Sequence, residues 1–124
     1  MSGSFNKVII AGNLCFQPEL KTLPSGTQVL ENSIALNRTW RDKMTGEKNE
    51  EVSYIDVTFW AGTANTVSQY LSKGSYVIVE GRLKQDQWDD KETGQKRSKV
   101  KVDCERMTMV PRSAGNESSQ PSQS

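Results

Sequence analysis

Apolar residues recur at every second position along most of this chain, and that spacing constrains the fold more than any other feature. Lys7 to Leu14 alternates Val8, Ile10 and Leu14 against Ile9, Ala11 and Asn13, a strand apolar on both faces. Gln28 to Trp40 is a second strand, with Leu30, Ile34 and Leu36 on one face and Val29 and Ala35 on the other. Val52 to Trp60 places Ile55, Val57 and Phe59 on one side and Tyr54, Asp56, Thr58 and Trp60 on the opposite one. Tyr76 to Trp88 turns Val77, Val79 and Leu83 inward and Arg82, Lys84 and Trp88 outward. Lys96 to Val110 turns Val100, Val102 and Cys104 inward and Arg97, Lys99 and Lys101 outward. Its phase slips near Glu105 and Arg106, after which Met107 and Met109 take the apolar face, as a bulge or bend would require.

Only Thr63 to Ser72 breaks the rhythm. Ala64, Val67 and Leu71 fall at helical spacing there, with Thr63 placed to cap the start and Gly74 to stop the end. Five strands with one short helix between the third and fourth is the order of an all-β, five-stranded Greek-key OB-fold barrel. Closure removes the unpaired edges that such a strand-rich chain would otherwise expose.

At 124 residues the chain is one domain. The barrel is expected over residues 1–110. From Pro111 to Ser124 five serines, two prolines and no core-forming residue predict a disordered tail rich in Ser, Pro and Gln. No apolar run approaches the roughly 18 residues of a membrane helix, and the start reads as neither signal nor transit peptide. A soluble, cytoplasmic protein is expected. The absence of histidine removes Ser-His-Asp and Cys-His nucleophile systems, HExxH sites and Cys/His zinc clusters. Cys15 and Cys104 form no CxxC and read as reduced thiols, although neighbouring first and last strands would allow a disulfide. Asp89, Asp90 and Glu92 are clustered carboxylates, but among lysines on a hairpin they read as a solvated loop and not as a Mg²⁺ site. No enzyme activity, metal or cofactor is expected.

Bulk charge decides nothing. Sixteen basic against fifteen acidic residues leave a net charge of +1, far from the basic extreme of many nucleic-acid binders. Placement is more informative. Tyr54 and Trp60 share parity with polar residues on the third strand, Trp88 with Arg82 and Lys84 on the fourth, and Trp40 sits between Arg38 and Arg41. Between Arg82 and Lys101 the net charge is +3. Aromatics interleaved with cations suit single-stranded nucleic acid, because stacking needs base faces that a duplex hides, while cations meet the phosphates. Trp40 to Lys48 and Trp88 to Lys96 also repeat one pattern, W-x-D-K-x-T-G-(E/Q)-K. Shared turn chemistry explains Asp and Gly; two arms closing over a bound strand would also explain the tryptophans. Tyr76 and Ile78 face outward and, with Tyr70, suggest a subunit contact unless the helix covers them.

Asn6 to Leu14, Pro18-Glu19, Pro24-Ser25-Gly26, Trp40-Arg41-Asp42, Tyr70 to Ser75 and Val79 to Leu83 together resemble the bacterial single-stranded DNA-binding proteins across roughly residues 5–110. The resemblance implies a homotetramer that binds single-stranded DNA in replication, recombination and repair, associated with the nucleoid. It makes Trp40, Tyr54, Trp60 and Trp88 stacking residues, although the family often carries Trp and Phe at the second and third. It places phosphate contacts at Lys7, Arg41, Lys43, Lys73, Lys84 and Arg97; the charge pattern adds Arg38, Arg82 and Lys99. Asp86 and Gln87 stand in an often basic stretch, which predicts weaker or more salt-sensitive binding than that of a strongly basic relative. The tail ends Gln120-Pro121-Ser122-Gln123-Ser124 in place of the family's acidic, Phe-tipped peptide, so tail-mediated recruitment of repair and replication enzymes is doubtful. Two alternatives remain: a primosome-type OB-fold adaptor, typically dimeric, and an RNA-binding OB protein, distinguished by a DNA/RNA affinity ratio.

Overall fold

The computed structural model describes residues 3–111, so the expected tail lies, past Pro111, outside the described residues. The elements are β1 (Val8–Leu14), β2 (Lys21–Thr22), β3 (Gln28–Arg41), β4 (Lys48–Trp60), α1 (Ala61–Tyr70), β5 (Tyr76–Asp89) and β6 (Lys96–Met109). All five expected strands are present, and β2 is a two-residue addition along β3. The sheet runs β1-β5-β6-β4-β3-β2, and a further pairing of β1 with β3 through Asn13↔Ala35 and Leu14↔Ile34 closes it into the expected five-stranded OB-fold barrel. One seam is parallel and short, joining β4 to β6 only at Val57↔Val102 and Thr58↔Asp103.

The interior follows the period-2 pattern. Leu14, Leu30, Ile34, Val57, Phe59, Val77, Val79, Val102 and Cys104 form one buried cluster, joined from the helix by Ala64 and Val67. Burying each Val, Leu or Phe contributes roughly 1.5–3 kcal/mol. The helix packs on β3 and β4, with Asn65 Nδ2 donating to Gln28 Oε1 at 3.2 Å. Thr63 does not cap it. The helix begins two residues earlier, with Trp60 at the extended N-cap position and no side-chain cap. Nor is Gly74 its stop: the last turn closes at Leu71, whose N–H donates to the Val67 carbonyl. Gly74 instead serves the tight turn into β5, where its N–H reaches the Leu14 carbonyl at 2.9 Å.

The two long ladders extend beyond the barrel. Past Leu36 on β3 and Gly81 on β5 the strands expose both faces and continue as two β arms. This corrects the inward placement of Leu83 and Val100, which share parity with the core yet are 49% and 57% exposed. The interior ends before either residue reaches it. The phase slip on the last strand is a bulge: Glu80 pairs with Arg106 but Gly81 pairs with Cys104, leaving Glu105 extra. The strands approach closely there, and a methyl at Gly81 would collide with the Asp103 carbonyl.

Each arm ends in the same turn. In the first, Asp42 Oδ1 accepts from the N–H groups of Met44 and Thr45, and Thr45 Oγ1 accepts from Glu47 N–H. In the second, Asp90 Oδ1 accepts from Glu92 and Thr93, and Thr93 Oγ1 from Gln95. Gly46 and Gly94 occupy matching positive φ values of 76° and 74°. The repeated D-x-x-T-G segment is therefore turn chemistry. It leaves the two tryptophans unexplained.

Candidate nucleic-acid interface

Strand register decides which side chains share the outer face. Tyr54, Asp56, Thr58 and Trp60 on β4 alternate with Val57 and Phe59 of the core and with Ile55, which packs against it; Thr58 is itself buried. On β5 the outer set is Arg82, Lys84, Asp86 and Trp88, and on β6 it is Arg97, Lys99, Lys101 and Asp103. The β5–β6 ladder sets Trp88 opposite Arg97, Asp86 opposite Lys99, Lys84 opposite Lys101 and Arg82 opposite Asp103. Three of the four expected aromatics, Tyr54, Trp60 and Trp88, thus share one face with cations. Tyr54 is 67% exposed and Trp88 49%. Trp60 is half-buried, and its indole N–H points at Asp103 Oδ1 at 3.4 Å.

Trp40 stands apart. It shares parity with Leu36 and Arg38, so it emerges on the opposite face of the β3–β4 arm from Tyr54, beyond the barrel end. There the Arg38 guanidinium covers its ring at 4.6 Å, and Arg38 Nη1 meets Glu51 Oε1 at 3.2 Å. An exposed cation–π contact contributes about 0.5–1 kcal/mol and holds the ring in one orientation.

The cations are heavily paired. Lys99 Nζ binds Asp56 Oδ2, and Lys101 Nζ lies 3.0 Å from Asp86 Oδ2 and 3.8 Å from Glu31 Oε2. Arg82 meets Asp103 at 3.9 Å, Arg97 meets Asp90 at 3.1 Å and Lys7 meets Glu80 at 3.7 Å. Arg41 Nη1 donates to the Gly46 carbonyl at 2.7 Å. Among the described residues, Lys43, Lys73 and Lys84 are exposed and no ion pair engages them.

These contacts shift the acids. The Lys99 ammonium, with help from the Ser33 hydroxyl that donates to Asp56 Oδ1 at 2.6 Å, holds the Asp56 carboxyl below its ordinary range. Asp56 in turn raises Lys99. Lys101 lowers Asp86 in the same way. The N–H groups of Glu92 and Thr93, together with Arg97, lower Asp90. With both its oxygens so occupied, Asp90 is a turn residue, and no group of acids and cysteines among the described residues could hold a metal ion. Cys15 and Cys104 are free thiols; burial raises both and pushes Cys104 up to about 11.

A second outer patch lies on β1 and β5. Ile9 is 63% exposed, and Ala11 pairs with Ile78 while Asn13 pairs with Tyr76. Tyr76 and Tyr70 line an open cavity of about 660 Å³ with Leu71 and Met109.

The model of the single-strand binding protein family matches residues 5–110. The chain belongs to the single-strand binding protein family. It is 40% identical over 119 residues to the single-stranded DNA-binding protein of Deinococcus radiodurans, which covers 96% of this chain and 38% of that protein. Identity to the Wolinella succinogenes single-stranded DNA-binding protein is 43%, over 86% of this chain and 64% of the relative. With the Xylella fastidiosa single-stranded DNA-binding protein 1 it is 37%, over 91% and 82%. The chain therefore spans well under two thirds of the Deinococcus relative and slightly under two thirds of the Wolinella one. Among solved structures it resembles the Plasmodium falciparum SSB complex with ssDNA at a TM-score of 0.76 and 25% identity, over 89% of this chain and 96% of that one. A deletion mutant of the Thermus aquaticus single-stranded DNA binding protein matches at 0.74 and 29%, over 86% and 51%.

Within this family fold, sequence reasoning missed the acidic half of the candidate face. Parity already placed Asp56 outward, but its partner Lys99 lies 43 residues away across the parallel seam. Lys101, expected outward, is on that face, yet its side chain is only 12% exposed beneath its two carboxylates. No helix is long and apolar enough to cross a membrane among the described residues.

Proposed function

We propose that this protein binds and protects single-stranded DNA without marked sequence preference, in replication, recombination and repair, and that it is not an enzyme. The observation that carries the reading is the outer face on which Tyr54, Trp60 and Trp88 stand among Arg82, Lys84, Arg97 and Lys99. An aromatic left half-exposed on a strand face contributes little to folding, but every base can stack on it, for roughly 1–3 kcal/mol each. Lys43, Lys73 and Lys84 meet phosphates directly. Lys7, Arg38, Arg41, Arg82, Arg97 and Lys99 do so by exchanging a carboxylate or carbonyl for a phosphate.

Trp40 stacks a base from the far side of its arm, with Arg38 as its backing. This path takes the strand around the arm and not along one plane. The exposed β1–β5 patch of Ile9, Ala11, Tyr76 and Ile78, continued by Tyr70, is the subunit contact of a homotetramer. Residues 1–110 form the binding domain. The protein works in the cytoplasm, at the nucleoid.

The test is tryptophan fluorescence on titration with oligo-dT at two salt concentrations, with the mass fixed by light scattering. Strong quenching, salt-dependent affinity and a tetrameric mass are expected. Undiminished oligo-dT affinity after Trp40→Ala and Trp88→Ala together would overturn the reading, and a dimer that does not bind would move it to an adaptor role.

A further inference from the structure

Phe16 lies outside the aromatic set considered so far, and the structure treats it unusually. It follows β1 at the barrel end and is 61% exposed, although its backbone is held as firmly as any strand residue. The clamp is the side-chain amide of Asn32, itself only 5% exposed. Asn32 Oδ1 accepts from Phe16 N–H at 3.1 Å and Asn32 Nδ2 donates to the Phe16 carbonyl at 2.9 Å. One amide side chain thereby replaces a peptide group of the ladder. On either side, Cys15 N–H donates to the Ser33 carbonyl at 2.9 Å, and Gln17 Oε1 accepts from Lys73 N–H at 3.2 Å.

The segment is thus tied to both the β3 side of the barrel and the loop that carries Lys73. A rigid backbone ordinarily lets a Phe ring be buried; here it holds most of the ring in solvent. The backbone of this segment abuts the stretch of β3 that carries the outer-face residue Ser33. Ser33, next to Asn32, donates to Asp56, and Asp56 holds Lys99. An exposed cation, Lys73, follows the loop on its other flank.

We infer that Phe16 is a further base-stacking platform, with Lys73 as the cation for the adjacent phosphate, extending the nucleic-acid track past the end of β1. The inference rests on the single-stranded DNA reading. The backbone beneath the ring is already ordered, so a covering base costs only side-chain entropy, and one stacked base is worth roughly 5- to 150-fold in affinity. Because the ring is mostly exposed, its removal leaves the fold intact.

The experiment compares the full chain with Phe16→Ala, Phe16→Leu and Phe16→Trp in oligo-dT titrations at fixed salt, beside Trp88→Ala and with mass by light scattering. Phe16→Ala and Phe16→Leu are expected to lose at least fivefold in affinity at unchanged thermal midpoint and mass. Phe16→Trp is expected to retain it and to add quenchable fluorescence. Full affinity in the Ala and Leu variants, while Trp88→Ala is weakened, overturns the role of Phe16 and leaves the DNA reading standing. A change of mass in those variants overturns it in favour of a subunit contact. Absence of oligo-dT binding by the unaltered chain removes the DNA reading itself.

Discussion

Replacing Asp56 with Asn should make this protein bind single-stranded DNA more tightly. Asp56 occupies Lys99 and is held ionised by it, so at neutral pH a phosphate must displace a carboxylate before Lys99 can contribute. Asn keeps an oxygen for the Ser33 hydroxyl donor and the same shape, and removes only the charge. Each cation made available to a phosphate steepens the dependence of log K on log salt by about 0.7 for a single strand. At about 0.1 M salt that increment corresponds to roughly a fivefold gain in affinity, which vanishes on extrapolation to 1 M. The ion pair lost is a partly exposed one, with side chains 30% and 59% accessible, and such pairs contribute at most about 1 kcal/mol to folding. The variant therefore remains folded.

The assay is oligo-dT quenching between about 0.05 and 0.3 M NaCl. Lys99→Ala in the Asp56→Asn background should cancel the gain, while Lys99→Ala alone should cost less, because its ammonium is already neutralised. A slope and affinity unchanged from the parent protein would refute the reasoning, by showing that Lys99 is off the phosphate track. The same logic revises the expectation of more salt-sensitive binding. Cations that exchange one anion for another release fewer counterions, so the parent protein's slope should be shallower than its number of outer-face cations suggests.

Three further outcomes follow from the backbone and the titrating groups. Ala61 begins the helix at φ 50°, a left-handed conformation costing an L-residue roughly 1–2 kcal/mol, and it is exposed; Ala61→Gly should raise the thermal midpoint by several degrees in a melting experiment. Gly81→Ala forces a methyl onto the Asp103 carbonyl at the bulge and should cost about 1–3 kcal/mol by urea unfolding. Because the folded-state pKa of Asp56 lies below its unfolded value, its contribution is complete above the unfolded pKa and is lost as pH falls through the folded one. Asp56→Asn should accordingly flatten the acid limb of urea midpoint against pH.

Barrel order, the bulge after Cys104 and the outward parity of Tyr54, Trp60 and Trp88 were legible in the sequence because each depends on alternation within one strand. The helix start was not. Trp60, and not Thr63, takes the N-cap position, since the sharp exit from β4 through Ala61 fixes the first turn before any capping side chain can. Leu83 and Val100 misled for a different reason: periodicity assigns a face, but it does not say where along a strand the core stops.

The ion pairs were illegible because they join strands whose neighbours are set by closure. Asp56 meets Lys99 only after β6 has folded back to lie beside β4, and Lys101 reaches Asp86 on one strand and Glu31 on another. The same closure explains how a chain of net charge +1 can present the proposed binding face. Asp56, Asp86 and Asp103 are not segregated to the other side of the molecule; they sit among the cations as resident counterions. Opposite charges at contact hold Lys99 and Lys101 in place, at the cost of a competition that any phosphate reaching these two must win. On the proposed reading, affinity depends less on how many cations such a face carries than on how many it can release, and Asp56 and Asp86 are among the acids that set that number.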